Sequence, residues 1–299
     1  MSARSRFRLF KFPVKNQLHR FTRSKFGSFL FFAILISGGL FSVLPLVYCI
    51  TTSFKPLDEL LLFPPTLFTV KRPTIANYTA IPDLLSGLSV PITRYAFNSI
   101  FVSIIGTFLS VIISAMAAFV LSKTEMKFNK LIFTVVQFSL LFNAYTLSVP
   151  QYIVYSKIGI INTYLAYIVP AAASSMGVFL MKQYMDGYVP YALIEAAHID
   201  GAGWIGIFTR IVLPIVRPCV LTLVMFSFLG IWNSVPSGTI FSESLKTLPT
   251  VMSTIAAGGL ARSGSSMATS VILMIFPIAV YLISQGSIKE TMGSAGIKG

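Results

Sequence analysis

The chain has 299 residues, of which 55% are hydrophobic and 11% charged, with a formal net charge of +14 and an isoelectric point near 9.9. A mean hydropathy of +0.80 departs from a soluble domain in the direction expected when lipid is the solvent. No compact basic domain carries the positive charge, which argues against a nucleic-acid partner.

The first 26 residues hold Arg4, Arg6, Arg8, Lys11, Lys15, Arg20, Arg23 and Lys25 with no acid, so residues 1–27 read as a basic tail retained in the cytoplasm. Apolar runs follow at about 28–50, 96–121, 131–153, 163–182, 213–234 and 267–286. Each meets the need for about 20 apolar residues to cross a hydrocarbon core, which predicts an all-α polytopic membrane protein with six transmembrane helices. No alternating ten-residue pattern recurs, so a membrane barrel is disfavoured. The first run is too long for the apolar core of a cleaved leader and reads as a retained helix. Alternating orientation places 16 of the 23 Lys and Arg residues on the cytoplasmic side and 7 on the other, with both termini inside.

Between the first two runs, residues 51–95 form an external segment where Lys55-Pro56, Phe63-Pro64-Pro65, Arg72-Pro73 and Pro82 favour extended or turn structure. Gly106, Ser110, Ser114 and Ala118 recur every four residues on the second helix, a small-residue face for close helix packing. The run Ala171-Ala172-Ala173-Ser174-Ser175 with Gly177 has the same expected role. Cys49 and Cys219 fall at or inside apolar runs, far apart, and indicate neither a disulfide nor a metal site. Residues 235–266 form a long external loop containing Pro236, Pro249, Gly258-Gly259 and Arg262, able to reach away from the membrane. Its glycines would let a partner's backbone approach closely.

The apolar runs hold almost no ionisable residue, which weakens a proton- or ion-coupled carrier. Neither a phosphate loop nor a His-Glu-x-x-His pair occurs. The chain is therefore expected to be non-catalytic and to bind no cofactor of its own.

The segment about 187–212 carries the most specific signal. Pro190 suits the start of a helix and Gly201 the left-handed residue past its end, so Tyr191 to Asp200 reads as a short cytoplasmic helix. Ala192, Ala196 and Ala197 keep it thin, while Ile194, Ile199 and Trp204 supply apolar contact suited to a groove on another protein. An amphipathic helix on the membrane surface is the simpler alternative, but it leaves the ordered spacing of Glu195-Ala196-Ala197, Asp200-Gly201-Ala202 and Leu213-Pro214 without a reason.

Pro190, Glu195-Ala196-Ala197, Asp200-Gly201-Ala202, Phe208, Ile211, Leu213-Pro214 and Pro218 resemble, in order and spacing, the EAA loop of binding-protein-dependent ABC-importer permeases. Trp232-Asn233, Leu248-Pro249 and the ending Ser294-Ala295-Gly296-Ile297-Lys298-Gly299 are similar to the sugar-uptake branch, and within it to the shorter permease subunit of maltose-type importers. Ser53-Phe54-Lys55 with Asn77-Tyr78 adds a weaker likeness. The resemblance covers about residues 28–299 and implies a type I ABC-importer permease fold in a bacterial or archaeal cytoplasmic membrane.

It also implies partners: a second homologous permease, two ATPase subunits that bind ATP and magnesium, and an extracytoplasmic solute-binding protein that delivers an oligosaccharide. Pro190, Glu195, Ala196, Ala197, Asp200, Gly201 and Ala202 would couple to the ATPase; Gly258, Gly259 and Arg262 would meet the binding protein. The tail 287–299 would reach the ATPases. Gln137, Asn143, Tyr145, Gln151, Tyr152 and Asn233 are candidates for a wet half-path, because amides and aromatic faces suit sugars; hydrogen bonds that tie helices together explain them equally. Tyr191 and Ala192 stand where acidic residues are common in the family, and Ser234-Val235-Pro236 departs from the maltose-type pattern. Import of another solute, such as a polyamine or glycerol phosphate, and a self-contained secondary carrier remain as alternatives.

Overall fold

The computed structural model describes residues 25–63, 66–86, 90–142, 144–235 and 238–295, and among them every regular element is helical. Asn143, Pro236 and the terminal Gly296 to Gly299 lie outside the described residues, as does the basic tail up to Ser24. Two compact units are distinguished, one up to Val47 and one from Tyr48 onward. The first is the leading part of α1 (Lys25–Ser53), an uninterrupted apolar helix that passes over Pro45.

In the second unit, α2 (Leu57–Leu60) and α3 (Ala76–Leu85) occupy the stretch expected to be extended. α3 forms despite Pro82 because Ile81 and Leu85 are buried against Leu248, Val251, Met252 and Ile255, and burial outweighs the helix-breaking tendency of one proline. α4 (Ile92–Lys123) is the long central helix. α5 (Asn129–Ser139) and α6 (Ala144–Lys157) share the third apolar run, which is interrupted around 140–143. α7 (Leu165–Ala172) and α8 (Ser175–Tyr188) join at Ser174, whose hydroxyl caps α8 by accepting from the Gly177 N–H at 3.0 Å.

Beyond α8 come α9 (Tyr191–Ile199), α10 (Trp204–Ile207), a π-helical turn (Phe208–Val212), α11 (Leu213–Ile215) and α12 (Arg217–Trp232). The chain bends by 82° between Ile215 and Arg217. Pro218 has no N–H to offer the Pro214 carbonyl, so the helix ladder breaks there. The loop expected at 235–266 is instead largely built into the fold: α13 (Leu248–Ala256) buries Leu248, Pro249, Val251, Met252 and Ile255 before α14 (Ser263–Ala295) begins. Pro249 occupies the first turn of α13, where its missing N–H costs nothing.

By length and composition four helical stretches could cross a membrane, Phe26–Ser53, Ile92–Lys123, Leu165–Tyr188 and Leu260–Gly286, and a fifth if Trp204–Ile215 and Arg217–Trp232 count as one bent span. The expected count of six is reached only if α5 and α6 are also taken together. The small-residue face of α4 packs closely as expected: a Cβ on Gly177 would lie 2.4 Å from Ser114 Oγ, and one on Gly106 would lie 2.9 Å from Ile231 Cδ1.

Candidate functional site: a capped loop helix and a neutral cavity

α9 begins and ends where the chain's local chemistry dictates. Pro190 is its N-cap, with φ −65° and ψ 142°, and Gly201 follows its C-cap Asp200 with φ +80°. The Ala202 N–H donates to the Ala197 carbonyl at 2.9 Å and the Gly201 N–H to the His198 carbonyl at 3.0 Å. This pair of bonds is a Schellman ending, which needs a residue tolerant of positive φ at Gly201.

One face of α9 is spent inside the chain. Ile194 and Ala197 are buried in a cluster with Phe119, Met185, Val189, Ile207 and Val212, and Ala202 packs against its edge. Ile194, expected to serve an outside contact, is turned inward because it lies on the same helical face as Ala197. Glu195, Ala196 and Asp200 are exposed, as is His198, whose ring meets Trp204 edge-on at 4.4 Å. Ile199 is 86% exposed and Ile205 80%. Phe208 lies 5.3 Å from the Phe119 ring, and Ile211 lines the same cluster, so the π-helical turn that holds them is part of the seat of α9.

Tyr191, which stands where acidic residues are common in the permeases the sequence resembles, is bonded within the chain. Its hydroxyl donates to the Ser122 carbonyl at 2.7 Å, and the Lys123 ammonium sits 4.8 Å from its ring. Lys123 also donates to the Val189 carbonyl at 2.7 Å.

A cavity of about 590 Å³ lies among α4, α6, α7, the start of α8 and α12. Its polar wall includes Ser110, Gln151, Tyr155, Ser174, Ser227 and Thr239, with Tyr167, Phe226 and Ile231 supplying apolar surface. No acidic or basic side chain lines it among the described residues. Ser110 and Ser227 share a hydrogen bond of 3.1 Å, Gln151 bonds to the Tyr155 hydroxyl, and the buried Thr239 hydroxyl has no partner.

Among the described path residues expected from sequence, Gln151 alone lines this cavity. Gln137 and Tyr152 are exposed on α5 and α6, and Asn233 is exposed with its amide bonded to the Leu229 carbonyl at 3.0 Å. Tyr145 belongs to α6, but its side chain is outside the described set. Ser110, Ser174, Ser227 and Thr239 line the cavity without having been singled out for it by sequence. A signal exists in α12 and the residues just after it, where Ser227, Gly230, Ile231 and Ser234 follow helical spacing along one face.

Gly258, Gly259 and Arg262 are exposed between α13 and α14, and Gly259 has φ +69°. A Cβ on Gly258 would collide with the Arg262 side chain at 2.2 Å. The neighbouring segment 239–248 is pinned to the start of α4. Tyr95 donates to Glu243 at 3.0 Å, Asn98 donates to the Ser244 and Lys246 carbonyls at 2.8 and 2.9 Å, and the Ser99 hydroxyl accepts from the Leu248 N–H at 2.7 Å. Asn162, left-handed at φ +58°, accepts from the N–H groups of Phe241 and Ser242 at 3.1 and 2.8 Å. Nearby, Ser53-Phe54-Lys55 and Asn77-Tyr78 meet: the Asn77 amide donates to the Ser53 and Lys55 carbonyls at 2.8 and 2.7 Å, and Ser53 bonds to the Tyr78 hydroxyl at 2.8 Å. The Glu59 carboxylate accepts from the N–H groups of Lys71 and Arg72 at 2.9 and 3.3 Å. The Lys71 bond is the main reason that its pKa lies below the ordinary value.

No family model matches the chain. Among curated proteins it is 28% identical over 277 residues to the sulfoquinovosyl glycerol transport system permease protein SmoH of Agrobacterium fabrum, covering 91% of this chain and 93% of that one. It is likewise 28% identical over 261 residues to the arabinooligosaccharides transport system permease protein AraQ of Halalkalibacterium halodurans, covering 86% and 92%. The fold matches a chain of a bacterial ABC transporter involved in import of the acidic polysaccharide alginate, with a TM-score of 0.72 at 18% identity over 89% of this chain and 99% of that one. A structure of a bacterial alginate ABC transporter in complex with its alginate pentasaccharide-bound periplasmic protein matches with a TM-score of 0.59 at 14% identity, over 86% and 93%.

Proposed function

The chain belongs to the permeases of sugar ABC importers, and from that premise we propose that it is one permease subunit of an ATP-driven importer of a neutral oligosaccharide delivered by an extracytoplasmic solute-binding protein. The observation that carries this is the short helix closed by Pro190 and Gly201, which keeps Glu195, Ala196, Asp200 and Ile199 outward and leads through a π-helical turn into α12, a wall of the cavity. A push on α9 has a covalent and packed route to the place where a solute would pass.

In this reading α5 and α6 together make one interrupted span, giving six, and both termini are cytoplasmic. Residues 190–202 sit in a cleft of an ATPase, which binds ATP and magnesium; this chain performs no hydrolysis. A second, homologous permease completes the path. Gly258, Gly259 and Arg262 face the binding protein, and the end of α14 with the residues after it extends toward the ATPases. The cavity favours a neutral, hydroxyl-rich solute: its serines, Gln151 and Tyr155 can exchange hydrogen bonds with sugar hydroxyls, and its apolar surface suits ring faces. A polyamine would call for carboxylates and glycerol phosphate for a cation, and the described lining offers neither.

The test is uptake of a labelled neutral oligosaccharide by proteoliposomes holding this chain, the second permease and the ATPase, with the binding protein outside. Uptake should require ATP and every subunit. Uptake by this chain alone would overturn the reading in favour of a self-contained carrier.

A further inference from the structure

We propose that Lys123 and Tyr191 form a clasp through which movement of α9 is delivered to α4, making Lys123 a positioning residue for coupled transport. This rests on the importer reading and adds a route and two residues to it. Lys123 ends α4 and is only 4% exposed, although it carries an ammonium group. That group donates to the carbonyl of Val189, the C-cap of α8 and the residue before Pro190, at 2.7 Å. A cation there also meets the negative end of the α8 dipole. In the opposite direction, the Tyr191 hydroxyl donates to the Ser122 carbonyl at 2.7 Å, while its ring flanks the Lys123 ammonium at 4.8 Å. The last two residues of α4 thus grip the chain on both sides of Pro190.

A third contact steadies the grip: Ser122 donates to Asp186 at 2.6 Å, and Asp186 pairs with Lys182 at 2.6 Å. The apolar cluster around Ile194 and Ala197 already holds α9 down. Apolar contacts have little directional preference, whereas two crossed hydrogen bonds fix where α9 lies along α4. Burying an ammonium is a poor way to gain stability when an apolar side chain could fill the space, and a fixed geometry is what such a group can supply. The receiving end is on the same rod: Ser110, a wall of the cavity, is thirteen residues before Lys123, about 20 Å along a continuous helix.

The experiment compares wild type, Lys123→Met, Tyr191→Phe and the double variant in the assembled transporter, reading sugar uptake and ATP hydrolysis in the same vesicles. Lys123→Met should keep binding-protein-stimulated hydrolysis within about twofold of wild type while uptake per ATP falls at least tenfold. Tyr191→Phe keeps the ring and loses one bond, so its ratio should fall two- to fivefold. The double variant should add little to Lys123→Met, since both residues act on one joint. If Lys123→Met does not assemble, the Tyr191→Phe ratio decides. An unchanged ratio in the variants that assemble would overturn the clasp and leave the importer reading standing; absence of ATP-driven uptake in wild type would overturn the importer reading itself.

Discussion

The two ends of α4 are held in opposite styles. At the Tyr95 end, Tyr95, Asn98, Ser99 and Asn162 bind the 239–248 segment through a dense set of internal hydrogen bonds, and α13 closes over it with its apolar face buried. At the Lys123 end, the apolar cluster around Ile194 and Ala197 and a few polar contacts hold α9, and beyond them Ile199 and Ile205 stand in the open. The difference teaches that the polar groups of the first end are finished largely within this chain, although Phe241 stays exposed there. The second, in the proposed reading, is finished by another protein: its backbone shape is set by the Gly201 turn, and Ile199 and Ile205 are left exposed.

The largest effect should come from altering the unfinished end. Gly201→Val places a β-branched residue at φ +80°, costing about 1–2 kcal/mol of backbone strain. An added Cβ there would meet nothing within 4 Å, so strain in the turn is the whole lesion. Uptake by the assembled transporter should fall at least tenfold with membrane insertion intact; normal transport by this variant would break the comparison. Gly177→Ala tests the packed middle of the rod, where the new Cβ would lie 2.4 Å from the buried Ser114 Oγ. Overpacking of this kind costs about 1–3 kcal/mol. Thermal unfolding of the purified protein should drop accordingly, and Ser114→Gly in the same chain should restore it.

Smaller effects on transport belong to the finished end. Asn162→Ala removes the acceptor for Phe241 and Ser242 and puts alanine at positive φ, and it should lower stability by about 1–3 kcal/mol without changing uptake per ATP. Asn162→Gly keeps the backbone and loses only the side-chain bonds, so it should cost less; equal losses would show that the φ angle is unimportant. Glu59→Gln should produce the mildest change, visible only in pH dependence. The folded-state pKa of Glu59 is depressed. Its contribution is therefore fully present above the unfolded value of about 4.3 and is lost as pH falls through the lower folded value. Wild type should lose protection of residues 55–72 against proteolysis in that acidic window, and the Gln variant should show a flatter profile.

The legibility of these regions in sequence follows from what their residues report. α9 is readable to within one residue because proline and glycine restrict backbone angles locally, and such signals do not depend on what packs nearby. α13 reads as loop because Pro249 and Gly258-Gly259 dominate, although Leu248, Val251, Met252 and Ile255 carry the i, i+3, i+4, i+7 pattern of a helix. The 82° bend at Val216 and the interruption between α5 and α6 are hidden because hydropathy registers compatibility with lipid and says nothing of direction. Most of the cavity is hidden for a different reason. Serines such as Ser110 and Ser174 serve helix packing and a polar wall equally well, and only the arrangement of neighbouring helices decides which side they face.

The most direct measurement is thiol labelling of an Ile199→Cys variant, in a chain whose native Cys49 and Cys219 are replaced by alanine, with Phe241→Cys as the probe at the other end of α4. Ile199 and Phe241 are both exposed in the chain by itself. In membranes holding this chain and the second permease without the ATPase, the Ile199→Cys thiol should react readily with a maleimide added from the cytoplasmic side. Adding the ATPase should suppress that reaction at least tenfold and leave the Phe241→Cys thiol, labelled from the opposite side, unchanged. Equal labelling of the Ile199→Cys variant with and without the ATPase would contradict the account, because the segment closed by Pro190 and Gly201 would then not be where the motor docks.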